Sequence, residues 1–400
     1  MKFAHMADCH LGGWRDPRLR LANSAAFEWV IRKCIGECVD FVLIAGDLFN
    51  SAVPSIESLQ CAVQGLMDLR RAGIPVYAIA GSHDFSPSGR TMFDVLETAG
   101  LLTNVAMGAV ENDKLCLKFT VDPKTKVKIT GMVGRIGGLE KGYYHDLDVR
   151  RLEEESGCKI FLFHSAIEEL KPKGMEKMVG MAGSLLPKGF DYYAGGHVHV
   201  TDHAQLEERH NIVFPGPVFP NNFAELEKLK QGSFCVVADG VVRHVPVEVH
   251  PVRSVVVDAE GREPQAVEEE VVAAVKAVVA DNAIVTVRVQ GCLKSGKPSG
   301  LNWQRLNGVA GGALVVLKNT SQLVSRELNA VRVPAVSVEE VEHAVIAEYV
   351  PQVLLTSDDK VLVSDLMGVF QQERQEGERV GDFENRVVSR ADSVLREGPV

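Results

Sequence analysis

The sequence predicts a layered α/β protein. Short apolar runs alternate with amphipathic stretches through the first 250 residues, and small polar clusters of Asp, His and Gly stand directly after several of those runs. Length adds a third constraint: 400 residues, at roughly 150 per domain, calls for two or three domains and leaves ample apolar material for a core.

Taken in order, the first strand is Lys2–Met6, followed by a helix over Ser24–Glu37 and a strand at Phe41–Ala45. A second helix spans Ser55–Ala72, led in by Val53-Pro54 with Ser55 as its N-cap. Further strands are expected at Val76–Ala80, Val127–Gly131, Ile160–Phe163, Tyr192–Ala194, Ile212–Phe214 and Phe234–Ala238. Near His250-Pro251 the pattern changes. Strands at Ser254–Val257, Ile284–Val289 and Ala313–Leu317, a helix at Gln265–Ala280, a Gly291–Gly300 loop and a short helix at Trp303–Val309 make a small α/β domain. After Val333-Pro334 two amphipathic helices remain. Val361–Gln372 carries Leu362, Leu366, Val369 and Phe370, and Phe383–Leu395 carries Phe383, Val387, Ala391, Val394 and Leu395, with Asp382 as N-cap and a polar Glu373–Gly381 connector. The expected division is 1–250, 251–333 and 334–400.

The composition is that of an ordinary globular chain, 46% hydrophobic and 24% charged, with a net charge of −10. Proteins that grip phosphates usually carry a basic surplus, so the acidic balance first counts against nucleic acid. Divided by segment, it does not. Residues 1–250 hold 27 basic and 31 acidic side chains, 251–336 hold 10 and 8, and 337–400 hold 6 and 14. Most of the surplus sits in the tail, where it suits a basic protein partner. No signal-peptide hydrophobic region opens the chain, and no apolar run approaches the roughly 18 residues of a membrane span. The eight cysteines form no CxxC pair and read as free thiols, so a cytoplasmic protein is expected.

Five motifs stand at the carboxyl ends of expected strands: Asp8-Cys9-His10, Gly46-Asp47, Gly81-Ser82-His83-Asp84, His164, and Gly195-Gly196-His197-Val198-His199. Strand carboxyl ends are where loops converge in α/β folds, so residues spread over nearly 200 positions can meet there. Carboxylates and imidazoles without thiolates suit divalent Mn²⁺, Fe²⁺ or Zn²⁺, and an Asp bridging two such ions makes a hydrolytic two-metal site. Any one of these motifs is common by chance; the ordered set is not. By period-two alternation Cys9 points away from the ligands, and His203, His210 and His244 read as surface or packing residues.

The motif series resembles that of the calcineurin-like metallophosphoesterases, a β-sandwich flanked by helices. Within it, Met1–Gly12, Ile44-Ala45-Gly46-Asp47-Leu48-Phe49, Phe214-Pro215-Gly216 and Phe223-Ala224-Glu225 are similar to the archaeal Mre11 (bacterial SbcD) nucleases of double-strand-break repair. The resemblance implies that Asp8, His10 and His199 hold one Mn²⁺, that Asp47 bridges, and that Ser82, His164 and His197 hold the other. It implies that His83 assists departure of the 3′ oxygen and that Asp84 orients His83 or a neighbouring loop. It also implies 3′-to-5′ exonuclease activity on duplex DNA, endonuclease activity on single strands or hairpins, a homodimer, a small capping domain, and carboxyl-terminal helices that dock a Rad50-type coiled-coil ATPase. Lys294, Lys297 and Arg305, around the loop of the small domain, are read either as contacts to DNA phosphates or as part of a plain solvated loop. Two residues depart from the family pattern: Ser82 stands where the family has Asn, and Asn50 where it often has His. Two other readings fit the same core: a phosphodiesterase or phosphatase acting on a small molecule or phosphoprotein, and a mainly structural ATPase partner.

Overall fold

The computed structural model describes residues 1–86, 91–175, 177–326, 359–370, 372 and 380–397. Two compact units emerge: Met1–Ser254 with Val279–Thr286 and Gly312–Leu317, and Val255–Val278 with Val287–Gly311 and Lys318–Val400.

The first unit follows from its strands. Phe41–Ala45 reads Phe-Val-Leu-Ile-Ala and is buried at every position, and a strand apolar on both faces needs a layer on each side. One six-stranded sheet runs Val241–Val247, Gly232–Ala238, Lys2–Met6, Phe41–Ala45, Val76–Ile79 and Thr103–Asn104. A second runs Thr201–Leu206, Arg209–Pro215, Tyr192–Gly196, Lys159–His164, Lys128–Gly131 and Thr120–Val121. Between the sheets lie Phe3, Leu43, Tyr77 and Ile79 with Ile129, Ile160, Leu162, Ala194 and Val213. Phe3 stacks on Phe41 at 5.0 Å and meets Tyr192 edge-on at 5.1 Å. Helices Pro17–Gly36 and Ile56–Arg71 cover the outer face of the first sheet, burying Leu19, Phe27, Val30 and Leu66 against Met6, Val42 and Ile44. Tyr144, Leu147, Leu152 and Phe190 cover the second sheet over Phe161, Phe163 and Phe214. The unit is a helix–sheet–sheet–helix sandwich.

All eight strands expected in the first 250 residues form, within one to three residues at their ends. The first helix begins at Pro17, seven residues before the expected Ser24, because the Asp16 side chain accepts from the Arg18 N–H and Pro17 fits the first turn. Ser55 caps the second helix as expected, accepting from the Ser58 N–H at 3.2 Å. The sheet edges went unread in the sequence: Thr103–Asn104 and Thr120–Val121 are two residues long, and Thr201–Leu206 alternates exposed and half-buried.

Strands at Val252–Asp258, Ile284–Leu293 and Val315–Ser325 form a sheet with Ile284–Leu293 central; most of their residues belong to the second unit, which also contains the helix Pro264–Val278. Helices Asp359–Phe370 and Val380–Glu397 contact each other, and the second begins two residues before the expected Asp382 cap. Most of the linker expected between Pro334 and Val361 and most of the 373–381 connector lie outside the described residues. No helix among the described residues is long and apolar enough to cross a membrane. All eight cysteines are free thiols.

Candidate metal centre

Strand register brings the motifs together. In the parallel pair of Lys2–Met6 and Phe41–Ala45, Met6 lies opposite Ile44, so Asp8 and Asp47 emerge side by side. The Asp8 N–H donates to the Gly46 carbonyl at 3.1 Å and the His10 N–H to the Asp47 carbonyl at 3.0 Å. In the second sheet Gly196 lies opposite His164, which delivers His197 and His199 to the same end. The turns are tight. Asp8, His10, Asp47, His197 and His199 all hold positive φ (51°, 42°, 53°, 92° and 51°), a conformation that costs a non-glycine residue about 1–2 kcal/mol. Gly81 and Gly196 are required beside them, since a Cβ on Gly81 would collide with Asp47 and one on Gly196 with the Ala45 carbonyl.

Hydrogen bonds fix which atom of each ligand faces the centre. The His164 Nδ1–H donates to the Ala45 carbonyl at 2.8 Å, and the His199 Nδ1–H to the Glu225 carboxylate at 2.9 Å. Both therefore turn Nε2 toward the centre. His199 Nε2 lies 3.0 Å from His10 Nε2 and 3.6 Å from Asp8 Oδ1. Asp47 Oδ2 lies 3.1 Å from His164 Nε2 and 3.6 Å from His10 Nε2, between the two halves of the site. Ligand atoms of Asp8, His10 and His199, of His10, Asp47 and His83, and of Asp8, Asp47 and His164 form three overlapping groups within 4.8 Å.

The residues fit divalent cations. His164 Nε2 is buried and makes no hydrogen bond, although Asp47 Oδ2 is 3.1 Å away. Two donors each about 2.1 Å from one ion at right angles stand about 3 Å apart, so the spacing is that of co-ligands. The donor set is carboxylate and imidazole without thiolate, as expected of a borderline or hard ion.

Electrostatics matches this reading. Burial raises Asp8 above the ordinary carboxylate range. Burial pushes the same way at Asp47, but the His164 and His10 imidazoles outweigh it and hold that carboxyl well below the range. At His164 the Asp47 carboxylate overcomes burial and raises the ring to about 10, and at His199 Asp8 and Glu225 overcome it and raise that ring to about 9. His10 is lowered to about 3 and His197 to about 4, in both cases chiefly by burial. Two buried carboxylates thus hold cationic charge at the centre, the requirement two metal ions meet.

The remaining sequence-selected residues divide clearly. His197 contributes to none of the three groups; its backbone N–H donates to both Asp8 oxygens at 3.0 and 3.1 Å, and its ring meets His164 at 5.2 Å. Ser82 is buried with Oγ 3.4 Å from Asp47 Oδ2. Asp84 accepts the N–H groups of Leu48, Phe49 and Gly81 at 2.9–3.1 Å, pinning two loops together; burial and then Asp47 raise it to about 6. His83 is exposed. Its Nδ1–H donates to the Asn50 carbonyl at 2.9 Å, its backbone N–H donates to Asp47 Oδ1 at 2.7 Å, and its ring lies 4.8 Å from that of His10. Cys9 is fully buried in the helix-side core, as alternation predicts.

In the second unit, Lys294 pairs with Glu263 at 3.0 Å and Arg305 with Glu268 at 3.7 Å, while Lys297 caps a short turn at Pro298–Gly300. Of the tail stripe, Val369 and Ala391 are buried, Leu362, Leu366, Phe383, Val387 and Val394 are half-buried, and Phe370 and Leu395 are exposed. Sequence reasoning missed the role of Glu225. Its signal was the Asn222-x-x-Glu225 pattern at a helix start: Asn222 caps the helix, one Glu225 oxygen accepts from the Asn221 N–H at 2.8 Å, and the other accepts from both the Asn222 side-chain amide and His199.

Residues 1–201 match the calcineurin-like phosphoesterase family. The chain belongs to that family. It is 30% identical over 257 residues to the DNA double-strand break repair protein Mre11 of Archaeoglobus fulgidus, covering 60% of this chain and 55% of that one. Against the Mre11 proteins of Methanopyrus kandleri and Methanosarcina mazei the figures are 30% over 269 residues (62% and 57%) and 36% over 246 (60% and 33%). The aligned part spans about half the length of the first two relatives and a third of the last. Among solved structures, TT1561 of Thermus thermophilus aligns at 15% identity with a TM-score of 0.41, over 62% of this chain and 99% of that one.

Proposed function

We propose that the protein is a Mn²⁺-dependent DNA nuclease of double-strand-break repair, with 3′-to-5′ exonuclease activity on duplex ends and endonuclease activity on single strands. The observation that supports this most is the convergence of Asp8, His10, Asp47, His164 and His199, with Asp47 Oδ2 between the His10 and His164 ring nitrogens. Asp8, His10 and His199 would hold one ion and His164, His197 and Ser82 the other, with Asp47 shared. Bound there, a cation pair neutralises phosphoryl charge and lowers the pKa of water. The chain's own contribution is positioning and proton transfer. Because His83 Nδ1 is committed to the Asn50 carbonyl, proton exchange falls to Nε2, the atom that would donate to the departing 3′ oxygen.

The rest of the assignment follows the same reading. Residues 251–333 form the capping domain with Lys294, Lys297 and Arg305 toward DNA phosphates, and 334–400 carry the helices that dock a Rad50-type ATPase on a homodimer. A digestion assay on linear duplex DNA tests the core claim. Wild type is expected to degrade it with Mn²⁺ and not with chelator, and His83→Ala to turn over about 100-fold more slowly or worse. Cleavage of a small phosphodiester without any DNA cleavage would establish the small-substrate alternative.

A further inference from the structure

The loop after Lys128–Gly131 carries a cation that the metal centre does not use. Gly134 packs directly on the His164 ring, so Arg135, the next residue, is held beside the site. Its backbone N–H donates to Glu140 Oε2 at 3.3 Å, and Glu140 Oε1 in turn accepts from Ser165, the neighbour of His164, at 2.6 Å. The guanidinium lies 4.6 Å from the Phe85 ring, two residues past His83, and 5.5 Å from the Tyr143 ring, with Nη1 donating to the Tyr143 hydroxyl at 2.8 Å. Aromatic contacts on this scale fix the plane of the fork without neutralising its charge. Among the described residues no carboxylate pairs with that charge, and Nε is buried with no acceptor. That Nε is enclosed and out of a ligand's reach; the other amine, Nη2, is not enclosed and makes no hydrogen bond among the described residues, and a phosphate oxygen is the acceptor an open guanidinium edge suits best.

We propose that Arg135 is a substrate-binding residue, a preformed fork between Phe85 and Tyr143 that grips a DNA phosphate next to the scissile one. The inference rests on the nuclease reading, since a substrate with one phosphate has nothing for this fork to hold beyond the metals. Phe85 and Tyr143 set its plane, and the Gly134–His164 contact sets its distance from the centre.

The test uses the full chain, a labelled short DNA duplex followed by anisotropy across a salt series, and steady-state kinetics on that duplex and on bis(p-nitrophenyl) phosphate. Arg135→Ala is expected to weaken DNA binding about tenfold or more and to reduce the slope of log affinity against log salt by about 1. Its effect should fall on KM for DNA rather than on kcat, and the loss on DNA should exceed the loss on the small diester at least tenfold. Arg135→Lys should restore the salt slope but only part of the affinity, because the charge returns without the fork. Unchanged DNA affinity overturns the proposal. So do equal losses on both substrates, which would make the loop a prop for His164. Absence of DNA binding by the wild type overturns the nuclease reading itself, and the inference with it.

Discussion

At the residue scale, the ligands depend on neighbours that hold them. Glu225 fixes the tautomer of His199, and partners of this kind are commonly worth 10- to 100-fold in metal affinity. Glu225→Gln should therefore weaken Mn²⁺ binding about tenfold or more by calorimetry; an unchanged affinity would show that His199 needs no such anchor. Ser82 offers a hydroxyl shorter and poorer as a ligand than an amide carbonyl. Ser82→Asn should tighten Mn²⁺ binding, and equal or weaker affinity would refute the assignment of that position. The ligand types were legible because Asp and His recur beside Gly at strand ends. The positive φ of Asp8, His10, Asp47, His197 and His199 was not, since neither residue type announces a left-handed turn as Gly does. Arg135 was equally silent, an isolated Arg in a Gly-rich loop whose meaning comes from Phe85, 50 positions earlier.

At the scale of elements, the site is held by the loops that follow the strands, with only His164 supplied by a strand end. Asp84 is the clamp, a fully buried carboxyl taking three backbone N–H groups from two different loops. Asp84→Asn puts an NH₂ against at least one of those donors and should lower unfolding stability by about 1–3 kcal/mol. Urea denaturation checks this, and an unshifted midpoint would mean the loops are set by other contacts. Central strands such as Phe41–Ala45 could be read from sequence because burial on both faces leaves an unbroken apolar run. Edge strands could not. Val241–Val247 carries Arg243, His244 and Pro246, a pattern suited to an edge and indistinguishable from a loop without its partner. The start of the first helix was legible in retrospect, since Asp16-Pro17 is a capping pair hidden before an Arg-rich first turn.

At the scale of the whole molecule, the two sheets enclose a titratable group away from the centre. His5 is fully buried between them, with Nδ1 2.9 Å from the Tyr192 hydroxyl, and burial lowers it to about 3. Between about pH 3 and 6.5 the unfolded chain binds a proton there that the folded chain does not, so stability from this group is present above 6.5 and falls with acid. His5→Leu should remove about one proton from the dependence of unfolding free energy on pH in that range, and denaturation series at several pH values will show it. An identical pH dependence in the variant would contradict the burial argument. The sandwich exists to bring loops from two sheets to one end, and the central claim is that those loops hold a pair of ions sharing Asp47. Titration of the metal-stripped full chain with Mn²⁺ tests that most directly. Two ions per chain are expected, with Asp47→Asn weakening both while circular dichroism remains native; a stoichiometry below two in the wild type, or loss of one ion alone in the variant, would contradict it.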